Sequence, residues 1–162
     1  MFTEYKNLPN NARVWIYQSD REFTAKEIEI VSVKAVDFIN QWTRHGDDLK
    51  GSFTFKYNQF LILAVDEGFN NVSGCSIDSS VHFVQEIEKA LGVDMMNKMN
   101  ISFKDGEHIN SVKMTVFKEF VLAHKITSET IVFNNMITNK QELETHWEVP
   151  LLDSWHKRFL VS

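Results

Sequence analysis

Cysteine is almost absent from this chain of 162 residues, with Cys75 standing alone. A lone thiol closes no internal disulfide and builds no thiolate zinc cluster, which excludes a small secreted scaffold stapled by cystines. Proline occurs twice and glycine six times, too few for a collagen-like chain or a Pro/Gly-rich disordered one. Blocks of basic charge are missing too, and 17 Lys and Arg against 22 Asp and Glu leave a formal charge of −5. Neither a counterion-releasing grip on nucleic acid nor adhesion to an acidic membrane surface is therefore expected. The longest purely apolar run, Phe60 to Val65, is far short of the roughly 20 residues that cross a bilayer. The start, MFTEYKNLPNN, has no charged segment followed by an apolar one, so no export signal is visible and the expected location is cytoplasmic.

What is present is apolar and aromatic: 43% of residues are hydrophobic, with 13 Phe, 4 Trp and 3 Tyr. That is ample material for the core of one domain. Arg13 to Ser19 is a β-rich run after the turn-forming LPNNA and reads as the first strand. Thr24 and Glu27 form a capping box, Phe23 and Ile28 are placed as a hydrophobic staple, and Gly46 after His45 stands where a left-handed cap ends a helix. Between these signals Ile28, Val31, Ala35, Phe38, Ile39 and Trp42 make one apolar face. Phe53, Phe55 and Tyr57 alternate in a strand that hairpins at Asn58 and Gln59 into the buried run ending at Val65.

Ile77, Val81, Val84, Ile87 and Leu91 then repeat at helical spacing until Gly92, and a strand near Asn100 to Lys104 stops at Asp105 and Gly106. The order βαββαβ predicts an α+β, ferredoxin-like core, residues 13–105, with two helices on one face of its sheet. A C-terminal α/β extension, residues 106–162, adds a helix near Val116 to His124, a strand at Thr130 to Phe133 and a helix opening at Thr138. The whole is expected to be one domain.

The chemical accent falls on Ser73 to Ser80, SGCSIDSS, where a loop enters the second helix. Free peptide N–H groups and the positive end of the helix dipole surround Ser73, Gly74, Cys75 and Ser76, a location suited to an anion or small ligand. Plain capping by Ser76 or Asp78 explains the same residues. Cys75, Asp78 and His82 fall on one side of the helix, opposite Ile77, Val81 and Val84. They are a thiol nucleophile with its orienter and base, part of a metal site, or a solvated polar face continued by Glu86 and Lys89. His45 is a more distant imidazole.

Several signatures are lacking. There is no Walker A motif: the stretch from Gly68 to Ser76 has one residue too many between its glycines and Cys75 in the lysine position. Position 81 is Val where a Cys-x5-Arg phosphatase loop needs Arg, Cys75 has no CxxC partner, and the six histidines show no H-E-x-x-H spacing. No metal or cofactor is expected. The aromatic tail, Trp147 to Phe159, either binds a protein partner or packs on its own domain.

The phrases RVWIYQSDREF, FINQWTRHG, KYNQFLILAVDE, SGCSIDSSVHFVQEIEK, TIVFNN and WEVP with SWHKRF occur together. Over nearly its whole length the chain resembles a family of small bacterial proteins often labelled as ABC transporter ATPases. The resemblance implies a bacterial, intracellular setting and brings no catalytic residue with it. The residues themselves predict a non-hydrolytic binding or regulatory domain, with an unknown small molecule or anion at Ser73 to Ser80. The alternatives are a thiol-dependent enzyme using Cys75, Asp78 and His82, or an interaction module whose tail binds a protein or a second copy.

Overall fold

The structure, a computed structural model, describes residues 1–160. The chain divides into two compact units: Met1–Met96 with Thr138–Lys140, and Asn97–Ile137 with the described residues from Gln141 onward. It is α+β throughout, with antiparallel sheets.

The first unit contains β1 (Arg13–Gln18), α1 (Ala25–Gln41), β2 (Thr43–Arg44), β3 (Asp47–Asp48), β4 (Gly51–Lys56), β5 (Phe60–Val65) and α2 (Gly74–Leu91). Its main sheet has the order β1-β5-β4, so the all-apolar β5 is central and every one of its residues is buried. Strand alternation puts Trp15, Tyr17, Phe53, Phe55, Leu61 and Leu63 on one face. Val31 and Ala35 of α1 and Phe83, Val84 and Ile87 of α2 join these residues in one cluster, which places both helices on that face as expected. Gly51 sits where a Cβ would stand 3.0 Å from the Ala64 carbonyl oxygen and 3.3 Å from the Ile39 side chain, so the close approach of sheet and helix needs glycine there.

The N-terminal signals of α1 act as read. Thr24 Oγ1 accepts the Glu27 N–H at 3.1 Å, and Glu27 Oε1 accepts the Thr24 N–H at 2.9 Å. Arg21 grips the same carboxylate with two 2.8 Å hydrogen bonds. Arg21 first, then the Thr24 N–H, hold the Glu27 carboxyl down to about 2.

The end of α1 differs from the reading. The helix stops at Gln41, not at Gly46. Trp42 turns inward, 2% exposed, and the chain folds into the β2–β3 hairpin, pairing Thr43 with Asp48 and Arg44 with Asp47. His45 and Gly46, with φ of 52° and 86°, form its two-residue turn. The left-handed Gly46 was legible, but it serves a hairpin rather than a helix cap.

The buried face of α2 is also shifted. Ser76, Ser80, Phe83, Val84 and Ile87 are buried, while Ile77, Val81 and Leu91 are only half-buried. Two serines are tolerated there because both are bonded. Ser76 Oγ donates to the Thr43 carbonyl at 2.8 Å, and Ser80 Oγ lies 3.2 Å from the Tyr17 hydroxyl. Burial pushes the Tyr17 phenol up, against the opposing effect of Ser80.

The second unit contains β6 (Asn100–Asp105), β7 (His108–Lys113), α3 (Met114–Leu122), β8 (Ile131–Phe133), most of α4 (Lys140–Thr145) and β9 (Glu148–Pro150). Its sheet runs β7-β6-β8-β9. The expected four-stranded ferredoxin-like sheet is therefore not completed, because the strand at 100–105 joins this second sheet. The edge of β1 that it would have used is taken by residues 138–140: Val14 N–H donates to Thr138 at 2.9 Å and Lys140 N–H to Ala12 at 2.9 Å. Asn139 bridges Arg13 there, so the helix expected to open at Thr138 starts at Lys140.

Lys140 also fastens the N-terminal segment. Its ammonium, on a residue 8% exposed, donates to the Tyr5 carbonyl at 3.0 Å and the Leu8 carbonyl at 2.8 Å. It lies 4.9 Å from the centre of the Tyr5 ring. Lys140→Met keeps the stem but strips both carbonyls of a charged donor, and should lower stability by about 2–3 kcal/mol. Urea unfolding checks this; a loss below about 0.5 kcal/mol would show that the clip contributes little.

Ile101, Phe103, Phe117, Val121, Ile126, Val132 and Leu151 form the second unit's core. Trp155 and Phe159 are half-buried against it, and Trp147, 2% exposed, donates its indole N–H to Asn135 at 2.8 Å. The tail is docked on its own unit rather than extended. Among the described residues no helix is long and apolar enough to cross a membrane.

Candidate functional site

The start of α2 is built by short polar side chains. Ser73, with extended φ and ψ of −117° and 171°, is the N-cap, in place of the Ser76 or Asp78 expected from sequence. Its hydroxyl accepts the Ser76 N–H at 3.3 Å and lies 3.0 Å from Ser76 Oγ. Ser76 is thereby occupied on all sides, since its hydroxyl serves Thr43 and its carbonyl accepts the Trp42 indole N–H at 2.8 Å. The first turn is locked to the end of α1 and to β2 through these two bonds.

Its outer side is open. Gly74 and Cys75 are exposed, and a Cβ on Gly74 would meet nothing within 4 Å. No acidic side chain stands in the first turn, so the dipole end is not neutralised by the helix's own residues. The neighbouring carboxylate of Glu67 accepts the Val72 N–H at 3.3 Å.

Arg44, which reasoning from sequence passed over, is the charged residue of β2, the short strand that contacts α2. It follows Thr43, whose carbonyl is bonded to Ser76. Its Nε is buried without a hydrogen-bond partner, and although Asp47 stands opposite in the hairpin register, no ion pair joins them among the described residues. A donor taken out of water and left unmatched carries a desolvation cost that an oxyanion would relieve.

Cys75, Asp78 and His82 all lie on the exposed side of α2, as the helical wheel placed them. The helix does not bring thiol and imidazole together. Seven residues of helix separate Cys75 from His82 by roughly 10 Å along the axis, with Asp78 between them, so the neighbour of the thiol is a carboxylate and not a base. No hydrogen bond joins the three, and the Cys75 carbonyl accepts Ser79 Oγ at 3.0 Å. His45 is exposed at the hairpin turn. Among the described residues no group of three or more His, Cys, Asp or Glu is arranged to hold a metal ion. A shallow depression lined by Gln85, Glu88, Lys89, Val93 and Asp94 lies at the opposite end of α2, and Glu88 there is engaged by the Met95 N–H at 2.8 Å.

The comparisons leave the chain without a family: no family model, no curated protein and no solved structure matches it.

Proposed function

We propose that this chain is a non-hydrolytic binding or regulatory domain that takes an anion, a phosphate or carboxylate carried by a small molecule, at Ser73 to Ser76. The observation that carries the reading is the buried, unpartnered Nε of Arg44, on the residue that follows Thr43, whose carbonyl is tied to a first turn that is open and free of acid. Peptide N–H groups of Gly74 and Cys75 supply direction, and Arg44 supplies charge. The tie from Trp42 and Thr43 to Ser76 holds the two in register before any ligand arrives.

Titration with inorganic phosphate, followed by amide NMR, tests it. Gly74 and Cys75 should shift in a saturable way, and Arg44→Gln should weaken the response at least tenfold. Cys75→Asp, which puts a carboxylate on the same helix end, should compete with the anion. Shifts confined to other residues, or a response indifferent to Arg44→Gln, would remove the proposal.

The exposure of Cys75 favours one second reading, a thiol-dependent enzyme. Its mark is alkylation at neutral pH much faster than that of a free thiol. Slow alkylation, with the phosphate response retained in Cys75→Ser, leaves that reading without a nucleophile. The label attached to the resembling family implies ATP turnover; purified protein is expected to show none that is independent of Cys75.

A further inference from the structure

The described chain ends in a strap made of two 3-10 turns, Leu151–Asp153 and Trp155–Phe159. Its start is anchored by backbone, the Leu151 and Leu152 N–H groups donating to Thr130 and Ser128 at 2.8 and 3.1 Å. From residue 153 on, the backbone bonds are local ones within the strap, such as Lys157 N–H to Ser154 and Leu160 N–H to Lys157. Side chains alone dock this part. At their centre is His156, 2% exposed.

The imidazole is held in its neutral form. Nδ1 lies 2.6 Å from Ser154 Oγ, the ring stacks on Trp155 with centroids 3.9 Å apart, and the Phe117 ring of α3 lies 5.9 Å away. The charged groups around it are cationic: Lys157 and Arg158 follow it in the strap, with Arg158 over the Trp155 and Phe159 rings, and Lys118 of α3 lies over Phe159. Asp153, the acidic residue nearest in sequence, is exposed, and no carboxylate pairs with His156 among the described residues. From β6, β8 and β9 the core receives Ile101, Phe103, Val132 and Val149, and the buried Ser102 of β6 is bonded to Ser111 of β7.

We propose that His156 is an acid-sensitive latch, whose protonation undocks residues 154–160 and uncovers the apolar face of α3 at Phe117 and Val121. A charge on this ring has no anion to meet and stands in apolar surroundings beside Arg158, whereas the released ring is hydrated. Burial first, and Arg158 second, push the imidazole down to about 4 from its ordinary 6.5. A folded value below the free one means that docking is fully supported above about 6.5, weakens as pH falls and has lost this support once pH passes below about 4. One proton taken up on release weakens docking about tenfold per pH unit inside that window.

Hydrogen exchange on the full-length chain, read at amides of residues 154–160, tests the latch. Intrinsic exchange rates are corrected for pH, and amides of α1 and α2 report whether the rest of the fold persists. Protection of the strap should fall about tenfold per pH unit across the window, while His156→Gln, which accepts from Ser154 but takes up no proton, should hold it constant. Constant protection in the wild type, or an equal fall in His156→Gln, overturns the proposal. Should glutamine fail to dock the strap at neutral pH, the wild-type imidazole resonance decides: a transition near 4 supports the latch, and one at about 6 or above overturns it.

Discussion

Replacing Trp42 with alanine is expected to cost about 4–5 kcal/mol, the largest loss from any single side chain of the first unit. Its indole is buried in a cluster with Ile39, Leu49 and Val65. It meets Trp15 edge-on at 5.9 Å and Phe38 at 5.0 Å. Its N–H is spent on the Ser76 carbonyl. Alanine therefore leaves a cavity between α1 and the sheet and frees a carbonyl in the first turns of α2. Because a typical domain is stable by only about 5–15 kcal/mol, that loss brings the chain close to unfolding at room temperature. Far-UV circular dichroism in urea measures it without relying on tryptophan emission. Trp42→Phe separates the two contributions: it refills most of the cavity but cannot donate, so about 1–2 kcal/mol should be lost. The same variant should weaken the phosphate response at Gly74 and Cys75, since the turn then keeps only the Thr43 bond of its two ties. A loss below about 1 kcal/mol in Trp42→Ala would mean that the cavity collapses, and that Trp42 does not organise the junction.

Ending the chain after Pro150 should have a comparable effect by a different route. The deletion removes Leu151, which is fully buried, together with half-buried Trp155 and Phe159. It also takes away the Phe159 ring packed 5.5 Å from Phe117 and the His156 ring beside it. On area alone this apolar contact contributes on the order of 3–5 kcal/mol. The melting temperature should fall markedly, with α3 losing hydrogen-exchange protection first, because its Phe117 and Lys118 meet the strap's rings. An unchanged melting temperature joined to loss of a partner or a dimer would instead restore the reading of the tail as a binding arm. Pro150 explains why sequence pointed to an irregular wrapping segment: a residue with no N–H and a fixed φ interrupts any helix linking Trp147 to Trp155. The structure makes it the last residue of β9, paired with Ile131.

The features legible in the sequence were those that residues within a few positions of each other decide. The capping box of Thr24 and Glu27, the turn at Asp105 and Gly106, the continuous apolar run of β5 and the left-handed stop at Gly92 each depend on local sterics or a hydrogen bond across one turn. Period alone also put Cys75, Asp78 and His82 on the solvent side of α2. Two things needed the folded chain. The first was the partner of the strand at residues 100–105: pairing is a competition for a shared edge, and residues 138–140 occupy that of β1. The second was Arg44. Its chemistry depends on a tie between Thr43 and Ser76, 33 positions apart, and on burial of one guanidinium nitrogen. No periodicity encodes such a meeting, because a hydroxyl in a helix and a carbonyl in a hairpin are matched only when the two elements have packed together.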